Sequence, residues 1–327
     1  DNLEYHYISG TNQLEYVADG VPTTASNNDI DPQTQGNYSY DPIGNLTKDD
    51  AEGISAITWL PNNKIGTITK TNGMVIQFTY DASGQRITKK VEKIVQGVPV
   101  SEIEFYLRDA SGNVMANYIL HPDSCTLLLK EQPIYGSSRL GVYAPNKDVT
   151  SNTVPSIGAQ NAQKFTLIRG QRLYELSNWL GNVQVVITDK KLAICGSAAT
   201  PAYYEADIQS AQDYYPFGSL MPERNFNSAG YKYGYGKHEK DDEIKGVGNH
   251  LSFGDYGYDP RTGKRWTVDK MAGKMPGWSP YAYSLDNPIL NVDPDGELPW
   301  PIHIRSFIST SSTGGGLFYG DGRGPSL

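Results

Sequence analysis

Four segments of this chain repeat one short plan: YSYDPIGNLTKD at residues 38–49, FTYDASGQRITKK at 78–90, YLRDASGNVMANY at 106–118 and LSNWLGNVQVVITD at 176–189. Each is an aromatic or apolar strand end, a turn of Asp, Ser or Asn with Gly, and a second alternating strand. Around the turn at residues 81–84 the alternation has period two on both sides, so every second side chain faces one way, as in a β-hairpin. Gly44, Gly84, Gly112 and Gly181 stand where such turns need a positive φ. A chain that repeats this unit is committed to antiparallel sheet.

The rest of the sequence agrees. Gly and Pro number 34 and 20, about a sixth of the chain against an average of roughly 12%, which is turn density. Only TPAYYEADIQSAQDYY, at 200–215, carries a helical signal. The uneven spacing of the turns at Asp41, Asp81 and Asp109 argues against a propeller, whose blades repeat evenly. An open strip of hairpins, or a closed sandwich or barrel, remains.

The net charge of −8, with basic residues scattered, lacks the cationic stripe that nucleic acid demands. No apolar run reaches the roughly 20 residues of a membrane span, and residues 1–20 do not have the layout of a signal peptide, so an export address is expected outside this sequence. Cys125 and Cys195 fit no zinc or redox spacing and read as two unpaired, mostly buried thiols. The charged run KHEKDDE, at 237–243, has no second His at zincin spacing and reads as a solvated loop. The remaining histidines, His6, His121, His250 and His303, share no ligand spacing, and neither metal nor cofactor is expected. Trp59, Trp179, Trp266 and Trp278 read as core or lumen packing. The glycine-rich TGGGLFYGDGRG, at 313–324, lacks the strand-then-helix context of a phosphate cradle.

The turns resemble the YD repeats of bacterial RHS proteins. IYGSSRLGVY at 134–143 and YELSNWLGNVQVVITDKK at 174–191 are similar to the run that precedes the RHS core, and residues 214–296, ending NPILNVDPDG, resemble the RHS repeat-associated core itself. The ordered set covers residues 36–296. The resemblance implies an all-β fold, a YD-repeat strip spiralling into part of a hollow shell that the core closes. It divides the chain into a strip at 1–213, the core at 214–296 and, at 297–327, the junction and leader of a variable toxin. Implied partners are that toxin segment, upstream shell sequence, secretion or chaperone proteins, and an immunity protein. Neither nucleic acid nor membrane insertion is implied, and the location is secreted or on the bacterial surface. A cell-surface adhesin or carbohydrate-binding β-protein is the competing class, and it predicts exposed aromatic rings.

The resemblance also implies self-cleavage. Asp269 and Asp293 match the family's catalytic aspartates, and the bond at risk is Glu297 to Leu298. Two adjacent carboxylates share one proton, giving an acid and a base. Two departures stand against it: the family's Arg is Tyr256 here, and the Pro after the first aspartate is Lys270. Lys264 and Arg265 could substitute, but nothing in the sequence places them. Both aspartates could instead serve only as Asx-turn acceptors. The expectation is therefore an intact Glu297–Leu298 bond, with the following segment, including Trp300 and Phe307, running back along the core.

Overall fold

The structure, a computed structural model, describes residues 2–21, 29–150, 168–196, 201–228, 230–254, 256–293, 299–301, 303–306 and 317–320. It is all-β, dominated by one antiparallel sheet of fifteen strands that runs almost in sequence order. One edge is Tyr38–Tyr40 and the other Leu220–Asn227; Lys147–Asp148 lies off the path, paired with Thr126–Tyr135. A separate hairpin, Leu3–Tyr7 with Leu14–Asp19, precedes it.

The turns at Asp41, Asp81 and Asp109 each cap a hairpin, for the reason the sequence suggested. Asp81 Oδ1 accepts from Ser83 N at 2.9 Å and Gln85 N at 2.8 Å, and Asp41 and Asp109 repeat the arrangement. Gly44, Gly84, Gly112 and Gly181 all have positive φ.

Strand pleat then sorts the side chains. Ile57, Ile68, Ile76 and Val91 stand opposite one another on four successive strands and are all buried. Each large side chain so covered contributes roughly 1.5–3 kcal/mol. Ile244 and Trp266, from the core, pack into the same cluster. On the strand that carries Val91 and on the next one, the inward row turns from apolar to charged, because Phe78 pairs with Lys89 and Lys89 with Glu104.

Of the segment expected as the core, 214–296, Leu220–Asn227 belongs to the large sheet, and the described residues from 231 to 293 pack beside it. This core carries a four-stranded sheet, Glu239–Lys240, Leu251–Ser252, Gly257–Asp259 and Lys264–Arg265, and a short helix, Asp242–Lys245. Tyr235, Phe253, Tyr256, Tyr258 and Tyr283 fill its interior.

Three expectations are corrected. Residues Pro201–Tyr214 form a strand, because pairing with Val183–Cys195 overrides a helix-compatible composition. Both cysteines are free but exposed rather than buried. Trp266 is core, whereas Trp179 and Trp278 are nearly half exposed. Nine tyrosines are buried among the described residues, against five that are largely exposed.

Candidate functional site

The run KHEKDDE is not a solvated loop. Lys240 and Asp241 are buried, and Asp241 is the anion on which the sheet grips the core. Arg86 donates to both its oxygens, at 3.1 Å each, and Lys89 to Oδ1 at 3.2 Å. Beside it, Lys232 reaches Glu104 at 2.6 Å and Glu131 at 3.1 Å. Tyr106 Oη donates to Glu239 at 2.7 Å. Burial pushes the Glu104 carboxyl up, but Lys232 and Lys89 outweigh it and hold it at about 2. Burial likewise opposes ionisation of Asp241, and Arg86 and Lys89 carry it well below the usual carboxylate range.

Two more joints flank this one. Lys245, on the core helix, lies 2.6 Å from Asp49 of the sheet and 2.8 Å from Asp259 of the core. Arg261 bridges Asp259 to Glu52. At the other end Arg139, held within the sheet by Glu175 at 2.9 Å, meets the core at the Tyr233 ring, 3.5 Å from its centroid, and donates to Lys237 O at 2.8 Å. The first two joints bring cations to anions across the sheet–core boundary and the third lays a sheet guanidinium on a core ring, which fixes the core's position on one face.

The core itself holds the aspartate pair. Asp269 and Asp293 are both buried, 7% and 3% exposed, and line one small pocket together with Met275, Trp278, Leu285 and Pro299. Asp269 N donates to Pro280 O at 2.9 Å, and Asp269 Oδ1 accepts from Met271 N at 2.7 Å. Asp269 is thus an Asx-turn acceptor, as the plainer alternative supposed. Its other oxygen does something else: Oδ2 accepts from Arg265 Nη1 at 2.5 Å. Arg265 is 5% exposed and its guanidinium carbon lies 3.7 Å from the centroid of the Tyr256 ring.

Arg265 thus brings to Asp269 a cation that the sequence had not placed there. Tyr256 brings no charge, but it carries on its face the guanidinium that the sequence could not place. The pleat decides which neighbour does this, since Arg265 turns inward while Lys264 faces Asp286 at 3.9 Å. Residues 294–298, with the Glu297–Leu298 bond, lie outside the described residues, as do Phe307 and the Trp300 side chain. The backbone at Trp300–Pro301 pairs antiparallel with Asn291–Val292. Among the described residues no cluster of His, Cys, Asp and Glu could hold a metal, and no helix is long and apolar enough to cross a membrane.

No family model matches the chain. It is 23% identical over 303 residues to salivary gland surface protein 1 of Aedes aegypti, covering 90% of this chain and 7% of that protein. To the tRNA3(Ser)-specific nuclease WapA of Bacillus spizizenii it is 26% identical over 319 residues, 94% of this chain and 11% of that protein. Among solved structures, TcdB2-TccC3-Cdc42 superimposes with a TM-score of 0.55 at 17% identity, over 90% of this chain and 13% of the other. The Photorhabdus luminescens Tc holotoxin pore gives 0.54 at 17%, over 80% and 11%. The chain thus spans about a tenth of the length of these relatives. At such identities the likeness is one of fold, and the fold is the antiparallel β-sheet architecture of these Tc toxin structures.

Proposed function

We propose that this chain is a wall segment and the closing core of a toxin's β-shell, and that the polypeptide following the core is the cargo it encloses. The observation that carries the reading is the docking of the core on one face of the sheet through buried ion pairs. A closing element must be held in place without being part of the strip's own strand ladder, and Asp241, paired with Arg86, and Lys245, paired with Asp49, do that. The likeness to the nuclease WapA and to the Tc holotoxin pore supports a toxin association, and an extracellular location goes with that reading. Protease protection of the full gene product tests the proposal. The segment after the core should resist digestion in the intact protein and become sensitive in Lys245→Met. Equal digestion of both proteins would refute enclosure.

A second activity is favoured by the shared pocket of Asp269, Asp293 and Pro299: hydrolysis of the Glu297–Leu298 bond by the core. One aspartate takes a proton from water as its oxygen bonds to the Glu297 carbonyl carbon. The other gives its proton to the Leu298 nitrogen as the C–N bond breaks, and the pair ends with the single proton it began with. Intact-mass measurement of freshly made protein tests this, with a species ending at Glu297 expected in the parent and absent from Asp293→Asn.

A further inference from the structure

We infer that the side of the large sheet turned away from the core, over the strands from Val98–Arg108 to Leu220–Asn227, is an interface on which a second copy of this chain packs. The strand register carries the inference. Thr79 stands opposite Thr88, Thr88 opposite Phe105, Phe105 opposite Tyr118 and Tyr118 opposite Leu129, so these side chains share one face. The neighbouring row on that face runs Thr67, Gln77, Lys90, Ile103, Leu120 and Leu127. Both rows are polar up to the strand Arg86–Val95 and apolar from Val98–Arg108 onward. Over the same strands the core-facing row changes in the opposite sense, from Phe78 to Lys89 and Glu104. The hydrophobic side of the sheet has crossed over.

The apolar face continues to the far edge. Tyr174 stands opposite Ile187 and Ile187 opposite Ile208, while Leu176, Val185, Ala211 and Phe226 form the adjoining row. The alternate positions of these strands face the core, since Glu175 accepts from the Tyr231 hydroxyl and Val186 packs with Tyr231 and Tyr233. From Ile103 onward no position in the four rows carries a charge. Leu107, Leu176, Ile208 and Phe226 are 55, 51, 48 and 47% exposed, so nothing within the chain covers them. The eight strands lie about 4.8 Å apart, each with two or three outward side chains about 7 Å apart, which makes a face on the order of 600 Å². That is the upper end for a monomer's largest apolar patch, and it falls within the roughly 600–1,000 Å² that each partner of a stable interface covers. An uncharged face offers no ionic pattern by which a different protein would be selected. Two copies related by a twofold axis set the same rows against each other, in the manner of two sheets packed face to face.

Sedimentation velocity of the whole chain, 36.0 kDa, tests this. At about 50 μM, above the micromolar dissociation constants of the weaker interfaces of this size, twice that mass is expected. Leu107→Lys and Leu176→Lys each place two ammonium groups in a symmetric apolar contact and should weaken association about 100-fold. Thr79→Lys and Thr88→Lys, on the polar part of the same face, should leave it within about twofold. Circular dichroism and urea melting show whether each variant folds. Where a leucine-to-lysine variant does not, Leu107→Thr or Leu176→Thr, which suits a strand, is read in its place, with about tenfold weakening expected. A parent that sediments as a monomer, leucine variants that associate as strongly as the parent, or threonine variants that weaken association as much as the leucine ones would overturn the proposal.

Discussion

Lys245→Met is the sharpest probe of how the core is held. The ammonium is almost wholly buried and lies 2.6 Å from Asp49 and 2.8 Å from Asp259, both also buried. Burial works against its charge, yet Asp259 and Asp49 prevail and hold it well above the ordinary lysine range. Methionine keeps the length of the side chain and removes the charge, so Asp49 is left buried with its cation gone, while Asp259 retains Arg261 at 2.9 Å. Breaking one side of a buried pair costs about 3–5 kcal/mol. With a urea dependence of about 3 kcal/mol per molar, the midpoint should fall by about 1–1.7 M. Trp266, whose ring lies 5.0 Å from the ammonium, gives a local fluorescence signal. Adding Asp49→Asn should return part of the loss, since the stranded anion is then absent. The pH dependence has a definite sign. Because the folded lysine value is raised, the joint's stability is complete below the unfolded value near 10.5 and is lost only as pH climbs through the higher folded value. A midpoint change below about 0.3 M, or a double variant no more stable than the single, would show that the pair does not hold the core.

His250 predicts an acid limb. It is buried, its Nδ1 lies 3.6 Å from Asp241, and its ring lies 4.6 Å from Trp266. Burial pushes it down to about 4; Asp241 and Asp259 oppose this, and Arg86 and Lys245 add to it. The unfolded chain binds the proton first, so stability falls between pH 6.5 and about 4 by about 3 kcal/mol, and His250→Phe should flatten that slope in urea titrations at several pH values. Gly84→Ala should cost about 1–2 kcal/mol, because its φ is +79° and the new Cβ would lie 2.8 Å from Lys64 Cε. An unchanged melting temperature would refute that strain.

The hairpins were legible because their determinants are local. Asp81 and Gly84 build their turn from residues within four positions, and no distant partner is needed. Pro201–Tyr214 was not legible, since its fate depends on pairing with Val183–Cys195 rather than on its own Ala, Glu and Gln. The charged run at 237–243 misled for a related reason. Charge reads as solvent exposure until the partner is known, and Asp241 meets Arg86 and Lys89 from more than 150 residues away. At the site, sequence found Asp269 and Asp293 through motif position. It could name Lys264 and Arg265 as substitutes but could not choose between them, because the choice depends on which face of the Tyr258–Arg265 pairing turns inward.

The joints and the aspartate pocket are mechanically one object, and this can be tested. Asp259 is gripped by Lys245 and Arg261, which reach the sheet at Asp49 and Glu52. The strand that ends at Asp259 pairs Tyr258 with Arg265, and Arg265 holds Asp269. Loosening Lys245 therefore leaves Asp259 held by Arg261 alone, lets that strand shift and misplaces the guanidinium, although Lys245 does not line the pocket. Arg139 supplies the control. Its partners Glu175 and Tyr233 lie on other elements, so Arg139→Met should also destabilise the core but leave Arg265 in place. Lys245→Met is expected to slow the cut after Glu297 about tenfold, equivalent to about 1.4 kcal/mol, and Arg139→Met to leave it within about twofold. Intact-mass time courses at a temperature where both variants remain folded decide it. Equal slowing by the two would mean that general loosening, rather than the strand from Asp259 to Arg265, governs the site. Parent-like rates in both would mean that the pocket keeps its geometry without the sheet.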